Sequence, residues 1–350
     1  MSECRGDIGD FLGVHGAFVW NRRQTRSMFK RVLAPMNGSQ NTERILPYLA
    51  QVTNWCDSEL TLLHVLRPTR DRSVGDLQIE YPNVLTDRAQ SLAREYFAEL
   101  SKQFESVGVI TRSTTASGDL VDTVVARASV GSFDLMALAV AEAIPAVRHL
   151  MESPSEKIRV RSPIPMLILN GQQARKSDRT DVPLSRLLIA LNGTKVSELA
   201  LPYARQLARA GNASITLIRI VPEVSGFHQA ALLGSTAPRF VESAIKKAEQ
   251  YLKNKAGGLA QEGFDVSTRV LVGPVARTLI DVQNSEPEHL LVIGSRVRSG
   301  WQRAILGSTS DEIVRISGRP LLLIPAGKNP APSDSEESEP TASSRRSTVS

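Results

Sequence analysis

The chain has 350 residues, a formal net charge of +6 at pH 7, and a composition of 41% hydrophobic, 22% charged and 5% aromatic residues. This composition excludes collagen-like, disulfide-rich and wholly disordered proteins, and the length suits two domains better than one. The basic residues are too thinly spread to predict nucleic-acid binding, and two cysteines outside any metal or redox motif indicate a cytoplasmic protein.

Residues 1–27 are predicted to form a flexible leader before Met28. Their apolar stretch is broken by glycines and a histidine, and arginines follow it, so it does not match a secretory signal. The longest apolar stretch, Leu135 to Val147, is interrupted by Glu142 and Pro145 and is shorter than the roughly 20 residues that cross a bilayer. We therefore expect no membrane-spanning segment.

An internal repeat with a constant spacing runs through most of the chain. The segment Arg31–Ser39 recurs as Arg186–Thr194, and Leu46–Tyr48 recurs as Leu201–Tyr203. Position 201 minus position 46 gives 155, and the same offset holds without a gap to the end of both copies. A repeat of this length predicts two copies of one domain and not a solenoid.

Each copy shows apolar strands alternating with helical patterns, separated by turn residues. Short apolar strands that alternate with helices predict a parallel sheet covered by helices on both faces. In the second copy we expect strands at Leu187–Leu191, Ser214–Val221, Ser267–Val272, Leu290–Ile293 and Leu321–Ile324, and helices around Leu199–Ala208, Phe240–Leu259, Val275–Asn284 and Thr309–Ile316.

The predicted fold is thus α/β, with two tandem doubly wound domains. They occupy residues 28–171 and 183–327 and are joined by a polar, exposed linker at 172–182. Residues 328–350 are rich in serine, proline and acidic residues, which predicts a disordered tail.

Two loops of the second copy have the composition of an anion site. Ligands of doubly wound domains bind beyond the carboxyl ends of strands. Asn192-Gly193-Thr194 follows the first strand, and a loop that we expect to begin at Gly294 leads to Gly307-Ser308-Thr309-Ser310 at the start of a helix. Glycines admit a phosphate, hydroxyls donate to it, and a helix N-terminus carries about half a positive charge. Asp311 and Glu312 follow and could hold Mg²⁺, although acidic residues in a first turn usually complement the helix dipole.

The strings Val292–Arg296, Gly307–Thr309 and Pro320–Pro325, with the start Phe29–Pro35, resemble the universal stress protein family. The resemblance covers both copies. It implies a tandem protein of the adenine nucleotide alpha-hydrolase-like fold, with a five-stranded parallel sheet in each domain. It also implies an adenine-nucleotide-binding module of the stress response, with ATP as the expected ligand. Mg²⁺ is kept as a companion ligand because of Asp311 and Glu312, and an enzyme is the less favoured interpretation.

The same resemblance implies which residues would hold the nucleotide. Ile220, near the end of the second strand, would border the adenine. The full set in the second copy is Asn192, Ile220, Gly294, Arg296, Gly307, Ser308, Thr309 and Ser310. Two positions depart from the family pattern, because Val297 replaces a motif glycine and Asn192 replaces an acidic residue.

The first copy lacks the motif. Ala139, Glu142 and Glu152 stand at its three glycine positions, so two carboxylates would face a triphosphate. Like charges repel, and we expect no ATP in the first domain.

The resemblance also implies that the last strands, Met166–Leu169 and Leu321–Ile324, pair at their edges and make the chain an internal pseudo-dimer. A further homodimer is left open. Two other functions are kept beside nucleotide binding, namely a nucleotide-independent scaffold that acts through its dimer-like surface and a slow Mg²⁺-dependent ATPase.

Overall fold

The structure is a computed structural model that describes residues 28–66, 82–130, 133–140, 153–175, 183–223, 237–296 and 308–326. The predicted leader and tail lie outside these residues, as do Glu142, Glu152, Val297 and Gly307. The first half contains β1 (Arg31–Pro35), α1 (Gln40–Glu43), α2 (Leu46–Cys56), β2 (Glu59–Leu66), α3 (Pro82–Ser106), β3 (Ile110–Ser117), α4 (Leu120–Val130), β4 (Leu135–Val140), α5 (Pro154–Arg161), β5 (Met166–Asn170) and α6 (Gly171–Arg175).

The second half repeats this order from β6 onward. It contains β6 (Arg186–Ala190), α7 (Lys195–Glu198), α8 (Ala200–Gly211), β7 (Ser214–Val221), α9 (Ala237–Gln261), β8 (Val266–Val272), α10 (Val275–Ser285), β9 (His289–Arg296), α11 (Ser308–Ile316) and β10 (Leu321–Ala326). The predicted alternation of strand and helix is confirmed, and β7 has the predicted bounds.

All ten strands form one sheet in the order β3-β2-β1-β4-β5-β10-β9-β6-β7-β8. Strands within each half are parallel, whereas β5 and β10 pair antiparallel, with Leu167 opposite Leu322. The two halves therefore meet through their last strands, as the sequence predicts. This pairing occupies both inner edges and leaves β3 and β8 as the outer edges of the sheet.

Strand side chains alternate between two apolar layers because successive residues of a strand point to opposite faces. Leu187 and Ile189 of β6 pack into the layer under α2, α3, α8 and α9, whereas Leu188 packs into the layer under α4, α5, α10 and α11. Each layer contains residues of both halves. The core is consequently continuous across the repeat.

Helices α2 and α8 join the halves on one face of the sheet. A Cβ atom at Gly211 would lie 2.4 Å from the indole of Trp55, so only glycine admits this ring. The Gln51 side chain donates to the Leu184 carbonyl at 2.7 Å and accepts from the Leu184 amide at 2.8 Å. These bonds tie the segment before β6 to the first half.

Two expectations about loops are wrong. Gly294 to Arg296 continue β9 instead of opening a loop, because β10 extends to Ala326 and pairs with them residue by residue. The start of the expected exposed linker forms α6, and Ala174 in it is fully buried. The Asn170 side chain accepts from the Gln172 and Gln173 amides, which starts this helix, and its amide group donates to the Arg315 carbonyl at 2.7 Å.

None of the described helices combines the length and apolarity that a bilayer crossing requires.

Because the core crosses the repeat, we expect fragments 28–175 and 183–326 to fail as stable monomers when they are produced separately. Each would expose an unpaired strand edge and leucines whose burial stabilises the fold by about 1.5–3 kcal/mol apiece. Size-exclusion chromatography with light scattering should find self-association or precipitation of each fragment and a 1:1 complex after mixing. Two soluble, monomeric, cooperatively unfolding fragments would contradict the shared core.

Candidate functional site

The candidate site lies where the strand order reverses, between β6 and β9 in the second half and between β1 and β4 in the first. Parallel strands on either side of such a reversal send their loops to opposite faces, which opens a crevice at the carboxyl edge. In the second half, this crevice begins with the turn after Ala190 and with the end of β9 at Arg296.

Asn192 organises the turn after β6. Its Oδ1 accepts hydrogen bonds from the Thr194 amide at 3.0 Å and from the Thr194 hydroxyl at 2.7 Å. The Asn192 amide donates to Ser197 Oγ at 3.2 Å. The predicted site residue is therefore present and exposed at the crevice, but its side-chain oxygen is engaged in shaping the turn.

Arg219, which was not predicted, lies beside this turn. Gly193 has a φ of +84°, and a Cβ atom there would lie 3.3 Å from Arg219 Nη1. The guanidinium also lies over the ring of Tyr251, 5.2 Å from its centroid. Among the described residues, Arg219 has no carboxylate partner. The signal in the sequence was a single charged residue near the end of the strand Ser214–Val221.

Tyr251 is held in place from its other side. Its hydroxyl donates to Glu198 Oε1 at 2.8 Å, and Lys255 Nζ lies 2.9 Å from Glu198 Oε2. Burial and the bond to Glu198 raise the pKa of the Tyr251 hydroxyl, and the bond from Lys255 lowers the pKa of the Glu198 carboxyl. The tyrosine therefore stays neutral and Glu198 stays charged, which fixes the ring that supports Arg219.

Gly294 brings β9 against α7. A Cβ atom at this position would lie 1.9 Å from the Val196 carbonyl oxygen and 3.1 Å from Ser197 Cα. Ser197 is also the partner of Asn192, so the structure brings these two predicted site residues together through α7. Gly294 is thus needed for the packing of β9 against α7. From the sequence, we had expected this glycine to make room for the ligand.

Ser308, Thr309 and Ser310 form the first turn of α11, as predicted. Thr309 is half-buried and Ser310 is buried. Asp311, in the same turn, binds Arg159 of α5, with Nη2 and Oδ1 2.5 Å apart. A helix of the first half therefore neutralises the carboxylate that follows the predicted phosphate-binding hydroxyls.

The corresponding turn of the first half is closed by its own residues. Ser153 caps α5, and its Oγ accepts from the Glu156 amide at 3.2 Å. The Glu156 carboxylate accepts in return from the Ser153 amide at 3.3 Å. This reciprocal capping box uses the free N–H groups that an anion would need.

The remaining predicted residues are distributed around the crevice. Ile220 lies inside β7 and packs against the apolar layer that includes α11, on the opposite face from Arg219. Arg296 is the last residue of β9 and is exposed. Gly307 lies outside the described residues. Between Gly294 and Arg296, Ser295 is 2% exposed, and its hydroxyl has no hydrogen-bond partner among the described residues.

A different polar cluster lies at the amino end of β9, away from the crevice. Glu286, Glu288 and His289 come close enough to share a metal ion. Arg269 binds Glu286 through both oxygens, with Nη2 3.0 Å from Oε2, and Arg186 Nε lies 3.9 Å from Glu288. These arginines already satisfy the carboxylates, so the cluster fits a structural ion-pair network better than a cation site.

We expect replacement of Gly294 by alanine to destabilise the protein by about 3 kcal/mol or more, because the new methyl group meets the backbone of α7. Urea unfolding should show this decrease in the free energy of unfolding. Gly257→Ala is the matched control, since Gly257 is exposed in α9 with open space around it. That substitution should stabilise the protein by about 0.5–1 kcal/mol. Equal effects of the two substitutions would contradict this packing role.

Burial lowers the pKa of His289 below its ordinary value of 6.5, although Glu286 and Glu288 oppose this shift. The unfolded chain then binds the proton more readily, so this contribution to stability is present above about pH 6.5 and is lost as the pH falls toward the folded pKa. We expect stability to fall by up to about 1.4 kcal/mol per pH unit in that window. Urea unfolding between pH 7.5 and 5.5 should give a smaller slope for His289→Asn, and an unchanged slope would contradict the prediction.

Comparisons with known proteins agree with the fold and the repeat. The model of the universal stress protein family matches residues 28–170 and again residues 183–325. A universal stress protein of Mycolicibacterium smegmatis is 28% identical over 140 residues, which are 39% of this chain and 47% of that protein. One from Methanocaldococcus jannaschii is 25% identical over 159 residues, which are 45% of this chain and 86% of that protein.

Solved structures show the same fold. A universal stress protein of Archaeoglobus fulgidus covers 87% of this chain and 100% of its own, with 19% identity and a TM-score of 0.62. A functionally unknown protein of Pseudomonas aeruginosa covers 85% of this chain and 92% of its own, with 17% identity and a TM-score of 0.51. With a family match over both halves, the chain belongs to the universal stress protein family, as a tandem member with two copies of the domain.

Proposed function

We propose that this protein is an adenine-nucleotide-binding module of the stress response, with one site, in the second domain. The nucleotide would lie in the crevice between β6 and β9. Its phosphates would face the first turn of α11, and its base would lie toward Ile220. Gly307 and the residues before it belong to this site as predictions from the sequence.

The observation that carries the proposal is the difference between the two equivalent helix starts. In the first domain, Glu156 and Ser153 cap each other and use the N–H groups of the turn. In the second domain, the equivalent carboxylate, Asp311, is bound by Arg159 instead. A helix start with hydroxyl side chains, and with its carboxylate already paired to an arginine, favours a phosphate.

A further residue of the second domain, Arg219, supports the proposal. Arg219 offers a guanidinium beside Gly193 that has no carboxylate partner in the described part of the chain, whereas the first domain has His64 at the equivalent position. His64 is engaged there, with Nδ1 3.2 Å from the Met36 carbonyl oxygen. The second crevice therefore offers more positive charge to an anionic ligand than the first.

The other functions differ from this one in measurable ways. In the proposed function, Mg²⁺ enters only as the companion of the triphosphate, because Arg159 already binds the Asp311 carboxylate. A slow ATPase would release phosphate, and a nucleotide-independent scaffold would give no binding signal with any adenine nucleotide. Because the inner edges of the sheet are paired within the chain, a further homodimer would have to use another surface.

We expect isothermal titration calorimetry with ATP and Mg²⁺ to give one site per chain. Thr309→Glu should weaken binding by about tenfold or more, because it adds a carboxylate to the proposed phosphate turn. The helix itself should tolerate the change, since acidic residues in a first turn are favourable.

Pro154→Glu is the matched control, because residue 154 is the equivalent position in the first domain and is exposed. It should leave ATP binding unchanged. A stoichiometry of two, or an equal loss in both variants, would contradict a site in the second domain only. Absence of binding by the wild-type protein would overturn the proposed function.

A further inference from the structure

Arg159 connects the two domains in an unusual way. It belongs to α5 of the first domain, is only 3% exposed, and reaches Asp311 in the first turn of α11. Its Nη2 donates to the Asp311 carboxylate at 2.5 Å. The other two nitrogens, Nε and Nη1, are buried and have no hydrogen-bond partner within the described parts of the chain.

The hydrogen-bonding capacity of Arg159 is only partly used by its described partners. A guanidinium has five N–H donors, and a buried charge is costly unless it is both paired and hydrogen-bonded. Asp311 is 38% exposed and supplies one bond, so it compensates the buried cation incompletely. The part of this positive charge that Asp311 leaves uncompensated favours another anion near the turn.

The repeat contains no second copy of this connection. Val314 stands at the position equivalent to Arg159, and Glu156 stands at the position equivalent to Asp311. Glu156 bonds back to Ser153 of its own helix and caps it. The first domain therefore provides the Arg159 guanidinium to the second domain. The second domain has Val314 at the equivalent position and provides no charged side chain there.

We propose that Arg159 is a positioning residue of the second domain's phosphate site, supplied by the first domain. By binding Asp311, it cancels the negative charge beside the α11 turn and keeps that carboxylate from capping the helix. The guanidinium, which Asp311 compensates incompletely, adds positive charge to the same place. This inference rests on the proposed function and assigns a role in phosphate affinity to the first domain, in which we propose no nucleotide site.

The test compares ATP with adenosine, which lacks phosphate, by calorimetry on the full chain. Arg159→Met should weaken ATP binding by about tenfold, because the Asp311 charge is then uncompensated, and should change adenosine binding less than about twofold. Adding Asp311→Asn to this variant should restore ATP binding to within about threefold of wild type. Arg161→Met is the matched control, since Arg161 lies on the same helix in an exposed pair with Asp122 and should leave both ligands unaffected.

The outcomes separate this inference from the proposed function. If ATP and adenosine weaken equally, or if Asp311→Asn fails to restore ATP binding, Arg159 has only a structural role and the site itself stands. If the wild-type protein binds no nucleotide, both proposals fail. If Arg159→Met does not fold, the single variant Asp311→Asn tests the inference. It frees Arg159 for the phosphate and should tighten ATP binding. Weaker or unchanged ATP binding would overturn the inference.

Discussion

The antiparallel pairing of β5 with β10 is the interaction on which the rest of the molecule depends. It joins two parallel sheets into one and brings α5 and α11 into contact near the centre of the sheet. Without it, Leu167 and Leu322 would lie at open edges, and Arg159 would have no carboxylate to meet. The joined sheet, the shared core and the contact between Arg159 and Asp311 all depend on this strand pair.

Duplication provided two equivalent crevices, and a few substitutions made them chemically different. Glu156 closes the helix start of the first domain, whereas Asp311 at the equivalent place turns to Arg159. Near the end of the second strand, the first domain has His64 and the second domain has Arg219, so the second crevice has an arginine where the first has a histidine. The backbone is shared, so the proposed division into a ligand-binding domain and a supporting one rests on the difference in side-chain charge between the two crevices.

The sequence predicted the strands and their alternation with helices, because the repeat shows the same apolar pattern in two copies. The pairing of the last strands was implied by the resemblance to the family, and the structure confirms it. The sequence could not predict contacts between distant segments. The packing of Gly294 on Val196 and the reach of Arg159 to Asp311 depend on how helices of different units cross. The end of β9 was also missed, because pairing with β10 extends a strand through polar residues that look like a loop.

Both halves of the sheet belong to one chain, and this changes how the assembly responds to dilution. Two separate subunits joined by the same strands would come apart as their concentration falls below the dissociation constant. Here each edge meets its partner at a local concentration set by the connecting segment, typically on the order of millimolar for a short tether. The paired arrangement should thus persist in a cell that holds only a few copies of the protein.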